Sequence, residues 1–153
     1  MKSQNLHPTT PDCEIRSTRI VPFPIDSVYE AWTNPDLLKQ WWGPNGFTNT
    51  FHEHDLRVGG QWRFTMHGPE RGNYENHCEF THIDPPTLIA WKRHSMPLFR
   101  VVATFKAITP NQTQIVLRQV FDTAKECNKI KPFAVDKNEE NFDRLEEILR
   151  RNP

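Results

Sequence analysis

The chain has no net charge: its 153 residues set 19 Lys and Arg against 19 Asp and Glu. It therefore creates no global field to gather nucleic acid or an anionic membrane surface, and neither is expected as a partner. Cysteine is scarce. Cys13, Cys78 and Cys127 are an odd number without close spacing, which argues against a disulfide framework or a zinc knuckle and favours a reducing cytoplasm. No apolar run approaches the ~20 residues that cross a bilayer. Residues 1–12, polar and holding Pro8 and Pro11, have no apolar stretch of the signal-peptide kind, and they read as a flexible tail ahead of a single domain over residues 13–153. There is no Gly-x-Ser-x-Gly elbow, phosphate-binding loop or dinucleotide fingerprint, so no cofactor is expected. Internal repeats and low-complexity stretches are also missing.

What the chain does have is rings. Hydrophobic residues make up only 36% of it, yet 11% is aromatic, so its interior is built from few but large side chains. Burying one such ring is worth roughly 2 to 3 kcal/mol, enough to hold a fold even where rings line a space instead of filling it.

Alternation and turn chemistry predict a first strand over Cys13–Val21, stopped by Pro22 and Pro24, and two short helices. The first runs from about Pro24 to Trp32 with Val28 and Trp32 on one face. The second is capped by Asn34 with Pro35 at its first position, buries Leu38, Trp41 and Trp42, and ends at Gly43-Pro44. Six further strands follow in hairpin order: Thr48–Leu56, Gln61–His67, Asn73–Ile83, Leu88–His94, Phe99–Ile108 and Gln112–Phe121. Their period-two pattern puts Trp62, Phe64, Met66, Cys78 and Phe80 on an apolar face, with Arg63, Glu75, His77 and Glu79 on the other.

Thr123 to Glu126 is a capping box for a short helix that Pro132 should interrupt. A long terminal helix then runs to about Arg150, with Val135, Asn138, Phe142, Leu145 and Leu149 as its inward stripe. Glu140 with Arg144, Glu146 with Arg150 and Glu147 with Arg151 are spaced as surface ion pairs. The only apolar surface large enough for this helix is the concave face of the twisted sheet.

Trp41-Trp42-Gly43-Pro44, the run from Asp55 through Gly59-Gly60 to Phe64, Ile83-Asp84-Pro85-Pro86 and the Asn141–Glu147 stretch form a pattern of their own. With these motifs the chain resembles the AHSA-type branch of the SRPBCC superfamily over roughly residues 14 to 150. Relatives include activators of the ninety-kilodalton heat-shock chaperone's ATPase, polyketide cyclases and START-like lipid-binding domains. The resemblance implies an α+β helix-grip (START-like) fold, with a curved antiparallel sheet wrapped around the C-terminal helix and two short helices closing a cavity. It further implies a small hydrophobic ligand, or alternatively a polyketide-cyclase-like enzyme or a co-chaperone connected with stress response. The eukaryotic activators join this domain to a further N-terminal one, so a free-standing copy need not share their activity.

Trp41, Trp62, Phe64, Trp91, Phe121 and Phe142 are the wall candidates for the cavity, or else they pack on one another. Gln119 shares the inward alternation of Ile115 and Leu117. Asn138 replaces the bulky aromatic that the family commonly carries after a glycine, and it either gives the pocket an amide or marks a helix end splayed to water. No residue is assigned a catalytic role. Glu75, His77 and Glu79 form a row that should face solvent. His52 and His54 have the spacing of two metal ligands on one side of a strand, but no third ligand is placed. Cys78 lacks an activating histidine and reads as packing. Edge strands leave a homodimer open.

Overall fold

The computed structural model describes residues 6–152. A 3-10 turn at Pro11–Cys13 leads into β1 (Glu14–Val21), then α1 (Ile25–Thr33), α2 (Pro35–Trp41), β2 (Thr48–His54), β3 (Gln61–His67), β4 (Asn73–Asp84), β5 (Leu88–Arg93), β6 (Arg100–Thr109), β7 (Gln112–Val120) and α3 (Ala124–Arg151). All strands join one antiparallel sheet in the order β1-β7-β6-β5-β4-β3-β2. Consecutive hairpins build six of the seven strands. The first closes beside the last, because two helices carry the chain from one sheet edge to the other.

The caps work as the turn residues dictate. The Asn34 side chain accepts from the Asp36 amide ahead of Pro35, and the Thr123 hydroxyl accepts from the Glu126 amide. The concave face then carries Trp62, Phe64, Cys78, Phe80, Trp91, Val101 and Leu117, all buried against α1, α2 and the Phe142–Leu149 stretch of α3. A second, smaller cluster joins Ile15, Phe121, Cys127 and Ala134 beneath the first turns of α3. On the outer face Leu6 packs on Leu88, Ala90 and Val102, and Arg118 donates to the Leu6 and His7 carbonyls while paired with Glu14. Part of the segment expected to be a tail thus has defined contacts.

Three expectations about α3 are corrected. The helix runs without a break through Pro132. Proline there removes only the bond to the exposed Asn128 carbonyl, which water can satisfy, while Cys127 and Ala134 hold both sides of the site to the second cluster. Val135 is 45% exposed, and Asn141 takes a buried place beside Phe142 instead. Of the three surface pairs only Glu147 with Arg151 forms. Glu146 turns to Arg19, whose guanidinium also holds Glu139 and Asp143 and lies over the Phe142 ring. Glu140 accepts from the Asn45 amide, and Arg144 binds the loop after α2.

Candidate functional site

Between the concave sheet and the middle of α3 lies an interior cavity of about 60 Å³. Its floor comes from two cross-strand rows. One runs Trp62, Cys78, Arg93 across β3, β4 and β5, and the next runs Trp91, Val101, Gln119 across β5, β6 and β7. Alternation brings these residues to one face, and sheet curvature turns their side chains toward one another. Asn138 and Asn141 from α3 and Trp42 from the loop after α2 close the space.

Of the residues singled out from the sequence, Trp62, Phe64, Trp91, Gln119 and Asn138 line this cavity. The other three lie elsewhere. Trp41 is buried against Trp32 and donates its indole to the Ala31 carbonyl. Phe121 belongs to the second cluster, and Phe142 to the main core under Arg19. The Asn138 amide faces the sheet and donates to Gln119 Oε1 at 2.9 Å and Ser17 Oγ at 3.2 Å, so the helix does not splay to water there.

Seven wall residues were not among the candidates: the strand residues Cys78, Phe99, Val101 and Leu117, and Trp42, Asn141 and Arg93. Arg93 was legible in principle, since it follows Trp91 by two residues and so inherits the inward register. Trp42 contacts Trp41, Trp62 and Trp91 with ring centroids 5.6 to 5.8 Å apart and plugs the cavity from its α2 side. Its loop holds Gly43 at φ +102°, where a side chain would also press on Met66, and Gly46 at φ +86°. The loop is fastened to α3. The Gly43 amide donates to Asn141, and the Arg144 guanidinium reaches the carbonyls of Gln40, Trp42, Gly43, Pro44 and Phe47.

The cavity's polarity is lopsided. Trp62 Nε1 is buried without a hydrogen-bond partner. Cys78 is a thiol pushed up to about 12 by burial, which makes it inert at neutral pH. No histidine, aspartate, glutamate, lysine or tyrosine is among the lining residues. Two wider depressions, of about 430 Å³ beside Glu30 and Ile148 and about 630 Å³ beside Pro11 and Arg118, are open surface grooves.

The polar rows expected on the outer face are there. Glu75 accepts from Thr65, His77 pairs with Gln61, and Glu79 pairs with His94. His52 and His54, however, do not share a side. A bulge between Phe51 and Glu53 sends His52 outward to Thr65 Oγ1, while His54 stacks on Phe51 and meets Trp62 and Phe80 edge-on. Among the described residues no group of three or more potential metal ligands converges.

His54 is instead placed to weaken the fold in acid. Burial holds its folded-state pKa below the ordinary 6.5, and its Nε2 has no partner. The unfolded chain therefore takes up this proton first as pH drops, so stability is full above about 6.5 and declines below it. Thermal melts between pH 7 and 5 should show a smaller decline for His54→Phe than for the wild type. Identical declines would remove His54 from the acid response.

A seven-stranded antiparallel sheet gripping one long helix over an interior cavity defines a helix-grip domain. Residues 22–150 match the family described as Activator of Hsp90 ATPase homolog 1-like protein, and the chain belongs to that family. Among solved structures it is similar to a protein from Nitrosomonas europaea, 20% identical, with 95% of this chain and 99% of that one covered at a TM-score of 0.85. A protein from Arthrobacter aurescens is 19% identical, over 92% of this chain and 87% of its own, at 0.83. The AHSA1 protein from Silicibacter pomeroyi is 18% identical, over 92% and 99%, at 0.74. At these identities the likeness is one of fold. No curated protein matches the chain in sequence. No helix among the described residues is long and apolar enough to cross a membrane.

Proposed function

We propose that this domain binds a small hydrophobic molecule in the cavity between the sheet and α3. The observation that carries this reading is an aromatic-walled interior space whose wall includes Trp62, with its indole N–H buried and unpartnered. An unsatisfied buried donor costs about 1 to 3 kcal/mol, a cost that the packed Trp32 indole carries as well, but only Trp62 also lines the interior space. A ligand acceptor would offset that cost.

Size sets a condition on the proposal. The cavity has room for a handful of waters, whereas drug-sized ligands occupy about 300 to 1,000 Å³. Trp42 is the wall residue that would have to shift to admit one, because it is half-buried and follows α2 instead of standing in the sheet, and its shift would work against the Arg144 bonds that fasten its loop. Native mass spectrometry of the purified protein should show a retained small molecule. Asn138→Trp, which places a ring in the cavity, should abolish both that mass and the uptake of a naphthalene-based polarity dye. Unchanged uptake in this variant would count against the cavity as the site.

The cyclase alternative lacks a proton-transfer group, because the lining residues include no carboxylate or imidazole. The co-chaperone alternative rests on the family description, and stimulation of an Hsp90 ATPase by the purified chain would support it.

A further inference from the structure

Arg93 is the one charged residue in the cavity wall, and its bonding is unlike that of most other arginines here. Arg16, Arg19, Arg57, Arg63, Arg100, Arg118, Arg150 and Arg151 each pair with a carboxylate. Arg93 is held by neutral groups alone: Nη1 donates to Asn76 Oδ1 at 2.6 Å, Nε to the Pro97 carbonyl at 2.9 Å, and Nη2 to Ser95 Oγ and the Met96 carbonyl at 3.2 Å. Phe99 lies against its face, 5.1 Å from ring centroid to guanidinium carbon. Among the described residues no carboxylate is bonded to it. These contacts fix the guanidinium in place and occupy four of its five N–H groups, leaving one on Nη1. Its charge has no carboxylate partner beside the aromatic cavity, and partial burial lowers its pKa.

Trp62 lies two strands away in the same row, roughly 10 Å along the sheet. Its indole is donor-only, so no cation or donor can satisfy it. One small head group cannot reach both donors, and of the two it is Arg93, with its charge unpaired by any carboxylate, that selects an anionic acceptor.

We infer that the ligand of this cavity is an amphipathic molecule with a carboxylate head, and that Arg93 is the counter-charge that binds that head while the rings take the apolar body. The inference rests on the reading of the cavity as a ligand site. Sheet geometry supports the division of labour, since Arg93 ends its strand next to the Ser95–Leu98 turn while Trp91, one step inward, is walled by rings on both sides.

Matched pairs test it: butyrate against 1-butanol and octanoate against 1-octanol, titrated into the purified protein by calorimetry and tryptophan fluorescence. A charge-assisted bond predicts that the carboxylate of a pair binds about tenfold or more tighter than the alcohol. Arg93→Gln should bring the two within about twofold, because the acid loses far more affinity than the alcohol. Because that variant removes four hydrogen bonds and could fail to fold, Asn76→Asp provides a second test. It keeps Arg93, is nearly isosteric, and puts a carboxylate where Asn76 Oδ1 already stands, so it should abolish the preference; because it also loses the bond that Asn76 Nδ2 donates to the Tyr74 carbonyl, binding is compared below the melting temperature measured for the variant. Equal binding of acid and alcohol by the wild type overturns the carboxylate assignment and leaves the cavity reading intact. A preference that survives Asn76→Asp removes Arg93 from the site. Binding of neither class overturns both readings.

Discussion

Arg144→Ala is expected to cost about 2 to 3 kcal/mol and to lower the melting temperature by about 6 to 10 °C. The guanidinium ties α3 to the backbone oxygens of the end of α2 and the loop after it, at 2.7 Å from the Gly43 carbonyl, 2.9 Å from those of Pro44 and Phe47, and 3.1 Å from that of Gln40. Each bond has a charged donor, the class worth about 1.5 to 3 kcal/mol apiece when buried. The loop's partial exposure cuts the sum well below the product. Arg144→Lys should rescue little, because an ammonium on a flexible stem cannot span carbonyls spread over residues 40–47. The released loop should also become the preferred site of limited proteolysis. A melting shift under about 2 °C, or full rescue by lysine, would show that the loop is held by its rings and by Asn141 instead.

Trp42→Ala should move stability and binding in opposite directions. Removing a tryptophan from a packed site costs about 3 to 5 kcal/mol, and the half-buried position of Trp42 puts it at the lower end. The same truncation takes away the plug that meets Trp62 and Trp91, so the cavity opens toward the loop and uptake of an apolar dye should rise several-fold even as the melt falls. A ring that served packing alone would lower both. Loss of stability without any gain in dye uptake would therefore sink the picture of Trp42 as a movable wall. Arg144→Ala offers an internal comparison, since it loosens the same loop without enlarging the interior.

The strand limits, the caps at Asn34 and Thr123, and the split between Trp62, Phe64 and their outward neighbours were all legible, because each is written within one element and its flanking turn. The cavity wall was legible in part. Trp62, Trp91 and Gln119 follow from alternation, and Arg93 would have followed had the period been carried past Trp91. His54 could not be read, because a bulge at His52 resets the alternation and nothing local in Phe51 to His54 announces it. The charged stripe of α3 misled for a related reason. Glu140, Arg144 and Glu146 have the spacing of helix-surface pairs, but stronger partners on β1 and on the loop after α2 lie within reach, and only the packed fold brings them there.

The order of residues alone settled the seven strands, the presence of a long terminal helix and most of the inward faces, since backbone hydrogen bonding and the apolar periods of two and 3.6 act over neighbours in sequence. Tertiary structure alone decided how far the rings close on one another, where Trp42 lies, and that Arg93 meets no carboxylate. Those are distances between segments far apart in the chain, fixed by sheet curvature and by the seating of α3, and no local pattern contains them.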